Sequence, residues 1–139
     1  GPLYSILLPE GWQHTGSKTA GGVLKNDNFK KGSTHLGIVW VPNPDSTSDS
    51  SLLSQATAPF VRMLDAPSAA VTQSMKGYWH KRQVPEGIRI SSTLNNIPVV
   101  ISAAVLHADH GRFIILHATN NQTVPGEEET LIRSFTPNP

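Results

Sequence analysis

Three apolar runs near the C-terminus constrain this chain most. Gly87 to Leu94, Ile97 to His107 and Arg112 to Thr119 follow one another with only Asn95-Asn96 and Ala108 to Gly111 between them. Runs of this length bounded by turn residues read as strands. Connections this short cannot carry a crossover, so neighbouring runs must pair antiparallel. Asparagine tolerates positive φ, which suits Asn95-Asn96 to a tight hairpin, and Asp109-His110-Gly111 suits a three-residue loop with its glycine left-handed. Pro98 lacks an amide donor but stands at the start of its run, where that is tolerated. The chain must therefore be built around an antiparallel meander.

Upstream, Leu3 to Leu8 reads as a buried strand stopped by Pro9, and Gly22 to Lys25 as a short one. Leu36 to Val41 is a stronger strand, ended by Pro42-Asn43-Pro44. Ser46 to Ser51 is a polar loop able to supply an N-cap. Leu52, Leu53, Ala56, Phe60, Val61 and Leu64 then recur at helical spacing, predicting a helix that ends near Asp65. Pro59 falls inside it and predicts a kink or a fresh turn. Lys76 to Gln83 reads as one more strand. Pro125-Gly126-Glu127-Glu128-Glu129 opens a last helix, its acids at the positive end, with Leu131, Ile132 and Phe135 as its apolar face. Gly1-Pro2 reads as the scar of a cleaved tag, residues 3–136 as a single domain, and 137–139 as a tail. Strands, one long helix, more strands and one short helix give an α+β class.

A chain of 139 residues suits one domain. Charged residues make up only 15%, which argues against disorder and is common in exported bacterial proteins. The net charge of +1 gives no electrostatic case for nucleic acid. The absence of cysteine removes disulfides, thiolate zinc sites and cysteine nucleophiles. No apolar run approaches the roughly 18–20 residues of a membrane span. An export signal or lipid anchor ahead of residue 3 stays open.

Candidate chemistries are weak. Gly11 and Gly16 have phosphate-loop spacing, but Lys18 comes one residue late and Ala20-Gly21-Gly22-Val23 is a poor helix start. The stretch reads instead as a turn between strands, with Trp12 folded over the sheet edge. His107, Asp109 and His110 resemble half of a metal cluster. In the predicted hairpin, however, His107 faces Phe113 and His117 faces Ala103, placing the two histidines on one face roughly 13 Å apart. There is no G-x-S-x-G elbow, and Ser33-Thr34-His35 has no third group to orient it. Glu127 to Glu129 mark a helix start rather than a pair for sugar hydrolysis. Asn121-Gln122-Thr123 is a glycosylation sequon by pattern. Among the tryptophans, Trp40 sits in an apolar strand and reads as core. Trp79, Lys81 and Arg82 combine an aromatic with cations, the composition of a binding hot spot, and are the candidate partner-binding residues.

Tyr4-Ser5-Ile6-Leu7-Leu8-Pro9-Glu10-Gly11-Trp12 resembles the start of PsbP-like domains, and Arg112 to Pro137 resembles their end. The PsbP/Mog-type architecture is shared by the Ran-binding Mog protein, the lipoprotein DcrB and the Eag-type chaperones of type VI secretion effectors. The resemblance implies an α/β/α sandwich: a six-stranded, mainly antiparallel sheet flanked by helices. It implies no catalysis, and the reading of the residues expects no cofactor and no metal. Its members are accessory subunits, adaptors or chaperones. The expectation is a non-enzymatic protein-binding domain outside the bacterial cytoplasm or tethered to its membrane, with a cytoplasmic place as the alternative. A homodimer through an exposed sheet edge stays open. The alternative function is a small-molecule or metal-binding enzyme using the scattered histidines.

Overall fold

The computed structural model describes residues 3–20, 24–66, 69–120 and 126–138. Gly1-Pro2, Gly22, Val23, Asn121 to Thr123, Pro125 and Pro139, on which expectations above bear, lie outside the described residues. In chain order the elements are β1 (Tyr4–Ser5), β2 (Gln13–Ala20), β3 (Leu24–Lys31), β4 (Thr34–Pro42), α1 (Asp49–Val61), β5 (Val71–Ser74), β6 (Gly77–Trp79), β7 (Arg82–Val84), β8 (Glu86–Leu94), β9 (Ile97–Ala108), β10 (Gly111–Thr119), α2 (Glu127–Ser134) and β11 (Thr136–Pro137).

Seven strands form one sheet in the order β2-β3-β4-β10-β9-β8-β5, every neighbouring pair antiparallel. The meander expected from the sequence is its C-terminal half. Asn95 and Asn96 adopt φ of 53° and 65° in the β8–β9 turn, as their residue type allows.

The expected α/β/α sandwich on six strands is corrected. Among the described residues the structure is mainly antiparallel β, with a seven-stranded main sheet and two helices, of 13 and 8 residues. At about 1.5 Å per residue the second helix is only ~12 Å long. Seven strands at about 4.8 Å spacing span ~29 Å, so it cannot form a layer. That face is covered instead by residues 3–12, the β6–β7 hairpin, and the β1–β11 pair as well as α2. Two strands of the sheet, β2 and β5, fall outside the expected strands, and β2 lies within the segment read as a turn. Leu3–Leu8 contributes only the two residues of β1, and Leu7 is 63% exposed. Thr136 and Pro137 pair with Ser5 and Tyr4, so the chain end there is tied in rather than free.

Two cores result. Leu52 and Leu53 of α1 pack with Val41, Ile101, Val105 and Ile114 on one face. On the other, Leu131, Ile132 and Phe135 pack with Leu36, Ile38 and Phe113. Ser48 caps α1, accepting the Ser51 amide at 3.2 Å. The helix runs through Pro59 to Val61.

The β9–β10 turn is Asp109-His110 alone, because Ala108 pairs with Gly111. Gly111 is not left-handed. It is glycine because a Cβ there would lie 2.4 Å from the Val41 carbonyl oxygen. The shorter loop slips the register by one, so His107 pairs with Arg112 and His117 with Ser102. The two histidines therefore lie on opposite faces, not on one.

Candidate functional site

The predicted strand over Lys76–Gln83 is a hairpin. His80 and Lys81 form its turn, with φ of 50° and 65°. Trp79 and Arg82 stand opposite each other and turn onto the sheet. Trp79 is 3% exposed, and its indole N–H donates to Glu128 Oε1 at 3.2 Å. The Arg82 guanidinium donates to the carbonyls of Phe135 and, at 3.0 Å, Ile132, and lies 5.7 Å from the Phe135 ring centre. Of the three candidate partner-binding residues, only Lys81 is exposed. A hot-spot composition is here spent on holding the hairpin and α2 to the core.

The first turn of α2 is the hub of a buried polar network. Glu127 accepts the Trp12 indole N–H at 2.8 Å and the Lys31 ammonium at 2.7 Å. Trp12 thus reaches inward to within 6.5 Å of the His117 ring, on the central strand β10, rather than over the sheet edge. Glu128 gathers Trp79 and Arg89 (3.5 Å), His80 (3.3 Å) and His117 (3.8 Å). Burial pushes the His117 pKa down, against the opposing pull of Glu128. At 1% exposure His117 cannot meet a substrate.

A second polar group lies on β2 and β3. Ser17 Oγ donates to Asp27 Oδ1 at 2.5 Å and stands 3.0 Å from His14 Nε2. Tyr4 donates to Asp27 Oδ2 at 2.6 Å, and burial and that carboxylate push its pKa up. In a hydrolytic relay the imidazole lies between carboxylate and hydroxyl. Here the hydroxyl lies between the other two, so the serine proton goes to the carboxylate. Lys18 and Thr19 belong to the backbone ladder of β2, not to a loop that opens a helix. Asp49 meets His107 at 2.8 Å and Arg112 at 3.0 Å, pinning α1 to the meander. Among the described residues no group of three ligating side chains is placed to hold a metal ion.

A pocket of about 290 Å³ opens where the end of α1 overhangs the sheet. Phe60, Met63 and Leu64 form its roof, and Leu94, Ile97 and Val99 its apolar wall. Ser33, His35 and Asn120 supply polar atoms on the opposite side, at the adjoining ends of β4 and β10. Ser33 Oγ donates to Asn120 Oδ1 at 2.7 Å. The His35 and Phe60 rings lie 5.2 Å apart. Burial, with smaller contributions from His117 and Lys30, lowers the His35 pKa and keeps the ring neutral at pH 7. Met63 and Ile97 are 61% and 49% exposed at the rim. Sequence reasoning missed this site. Its residues come from four distant segments, and its one local hint was Ser33-Thr34-His35, read for catalysis.

No protein-family model and no curated protein matches the sequence. Among solved structures the chain is similar to LpqN, involved in cell envelope biogenesis of Mycobacterium tuberculosis. The TM-score is 0.45 at 9% identity, over 98% of this chain and 83% of that one. The PsbP-like resemblance gains no support from these comparisons, and a likeness at this level carries no function across. No helix among the described residues is long and apolar enough to cross a membrane.

Proposed function

We propose that this is a non-catalytic accessory domain that docks on a protein partner at the end of the sheet where the α1 pocket opens. The observation that carries the reading is the pocket's rim. Met63 and Ile97 expose large apolar side chains on either side of an apolar recess. Exposed apolar surface gathered around a recess marks interaction sites. The volume of about 290 Å³ is at the lower bound of the roughly 300–1,000 Å³ of small-molecule sites. It suits an anchor from a larger partner whose surroundings rest on the rim. The polar groups elsewhere, including five of the six histidines, brace the fold or sit at turns outside this recess.

A photo-crosslinking amino acid at Met63, compared with one at Tyr78, tests the reading in cells of the source organism. Tyr78 is 70% exposed on the β6–β7 hairpin, across the sheet. One discrete adduct at position 63 and none at 78 is the expected result. Equal labelling at both positions, or none at either, would overturn it.

A further inference from the structure

We infer that the anchor taken by this pocket is an uncharged aromatic side chain carrying one hydrogen-bonding atom, a tryptophan or tyrosine of the partner; the inference rests on the docking reading above. Three observations carry it. No Asp, Glu, Lys or Arg lines the pocket among the described residues. A carboxylate, phosphate or ammonium drawn in would lose water and gain no counter-charge, which is costly. The group is therefore neutral.

The walls are also segregated. The roof at and just beyond the end of α1 is apolar, and so is the β8–β9 wall apart from Asn95, whereas Ser33, His35, Thr119 and Asn120 lie on the β4–β10 side. Ser33 and Asn120 already pair with each other, so a purely aliphatic anchor would cover the His35 imidazole without pairing it, which is costly. An indole or phenol presents an apolar body and one polar atom, which matches the division.

Finally, the His35 side chain makes no hydrogen bond among the described residues. A neutral imidazole offers one acceptor and one donor. It can accept an indole N–H or exchange a hydrogen bond with a phenol. Phe60, 5.2 Å from the His35 ring, supplies an aromatic neighbour for the incoming one.

The test is a two-dimensional amide NMR titration of the whole domain with four probes: N-acetyl-tryptophanamide, p-cresol, indole-3-acetate and decanol. The first two are expected to shift the amides of His35, Phe60 and Ile97 saturably. Indole-3-acetate should bind at least tenfold more weakly. Ala118→Phe, which fills the pocket, should abolish the shifts; Ile97→Asp at the rim should weaken them while the rest of the spectrum shows the fold intact. Decanol binding alone would overturn the aromatic assignment and leave the docking reading standing. Equal binding of indole-3-acetate would overturn neutrality. No response to any probe would overturn the inference and remove the pocket as the docking site.

Discussion

Asp65, just past the end of α1, accepts the backbone N–H of Asn95 at 2.9 Å, and that of Asn96 at 3.0 Å, with its two carboxylate oxygens. Its own amide donates to the Thr93 carbonyl at 3.0 Å. One residue thus fixes the end of the helix to the β8–β9 turn. Leu64 beside it, and Leu94 and Asn95 beyond, line the pocket.

Asp65→Ala is therefore expected to loosen the pocket before it unfolds the domain. Affinity for N-acetyl-tryptophanamide should fall several-fold while the fold persists. The two amides hold the Asp65 carboxyl below its ordinary pKa. A depressed carboxyl contributes above its unfolded value near 4 and stops contributing as pH falls through the folded one. The wild-type advantage over the alanine variant should accordingly hold at pH 5 to 7 and vanish in stronger acid. Urea melts and probe titrations of both proteins, run at matched pH, check this.

Gly111→Ala places a methyl 2.4 Å from the Val41 carbonyl oxygen and 2.7 Å from the Trp40 ring. Both belong to β4, the neighbour of the central strand β10. Overpacking against backbone costs about 1–3 kcal/mol and more where nothing yields. Destabilisation at the upper end of that range is expected in urea unfolding. An unchanged midpoint would show that the β4–β10 contact gives way easily.

His117 predicts a pH dependence of the same sign in a window nearer neutrality. Its folded pKa lies below the unfolded value of about 6.5, so the unfolded chain binds the proton first. Its contribution is full above pH 6.5 and is lost as pH falls through the folded value. The charges around it are Glu127, Glu128, Arg89 and His80, with Lys31 held by Glu127 and His35 on the far face. In His117→Gln, the stability slope between pH 7 and 5 should flatten. A slope unchanged from wild type would assign it to another group.

The indole contacts separate structure from surface. Trp12→Phe removes a hydrogen bond to the buried Glu127 carboxylate, a kind worth about 1.5–3 kcal/mol. Lys81→Ala, on an exposed turn residue, is expected to leave stability unchanged. Denaturation midpoints of the two variants decide it. Equal midpoints would mean that the Trp12 bond adds nothing net.

The meander was legible because β8, β9 and β10 carry long apolar runs and short polar turns. The helix α1 was legible from its apolar spacing. The strand β2 was not: Gln13–Ala20 carries no large apolar residue, since it is an edge strand with little to bury. The 77–84 hairpin was hidden because its turn, His80-Lys81, takes positive φ without glycine or asparagine. The β9–β10 register turned on Gly111, whose role is close approach to Val41 rather than turn geometry. The burial of Trp79 was invisible for a different reason. Alternation says which residues share a face but not which face is covered, and here the cover comes from α2, 48 residues further on. The pocket has the same cause, being a product of tertiary packing alone.

The seam between β4 and β10 also sets an order of events during synthesis. The strands on its N-terminal side, β2 to β4, can pair as soon as Pro42 has emerged, and they find all their sequential neighbours at once. The sheet's middle, however, waits for Gly111–Thr119, which pairs with β4 residues made about seventy to eighty positions earlier. Until then Leu36 and Ile38, almost fully buried in the finished molecule, have a strand on one side only. Non-local closure of this kind is slow relative to hairpin formation. A nascent chain halted anywhere before residue 111 would present an open, apolar sheet edge at its centre, the state in which it would most need a holding chaperone of its own.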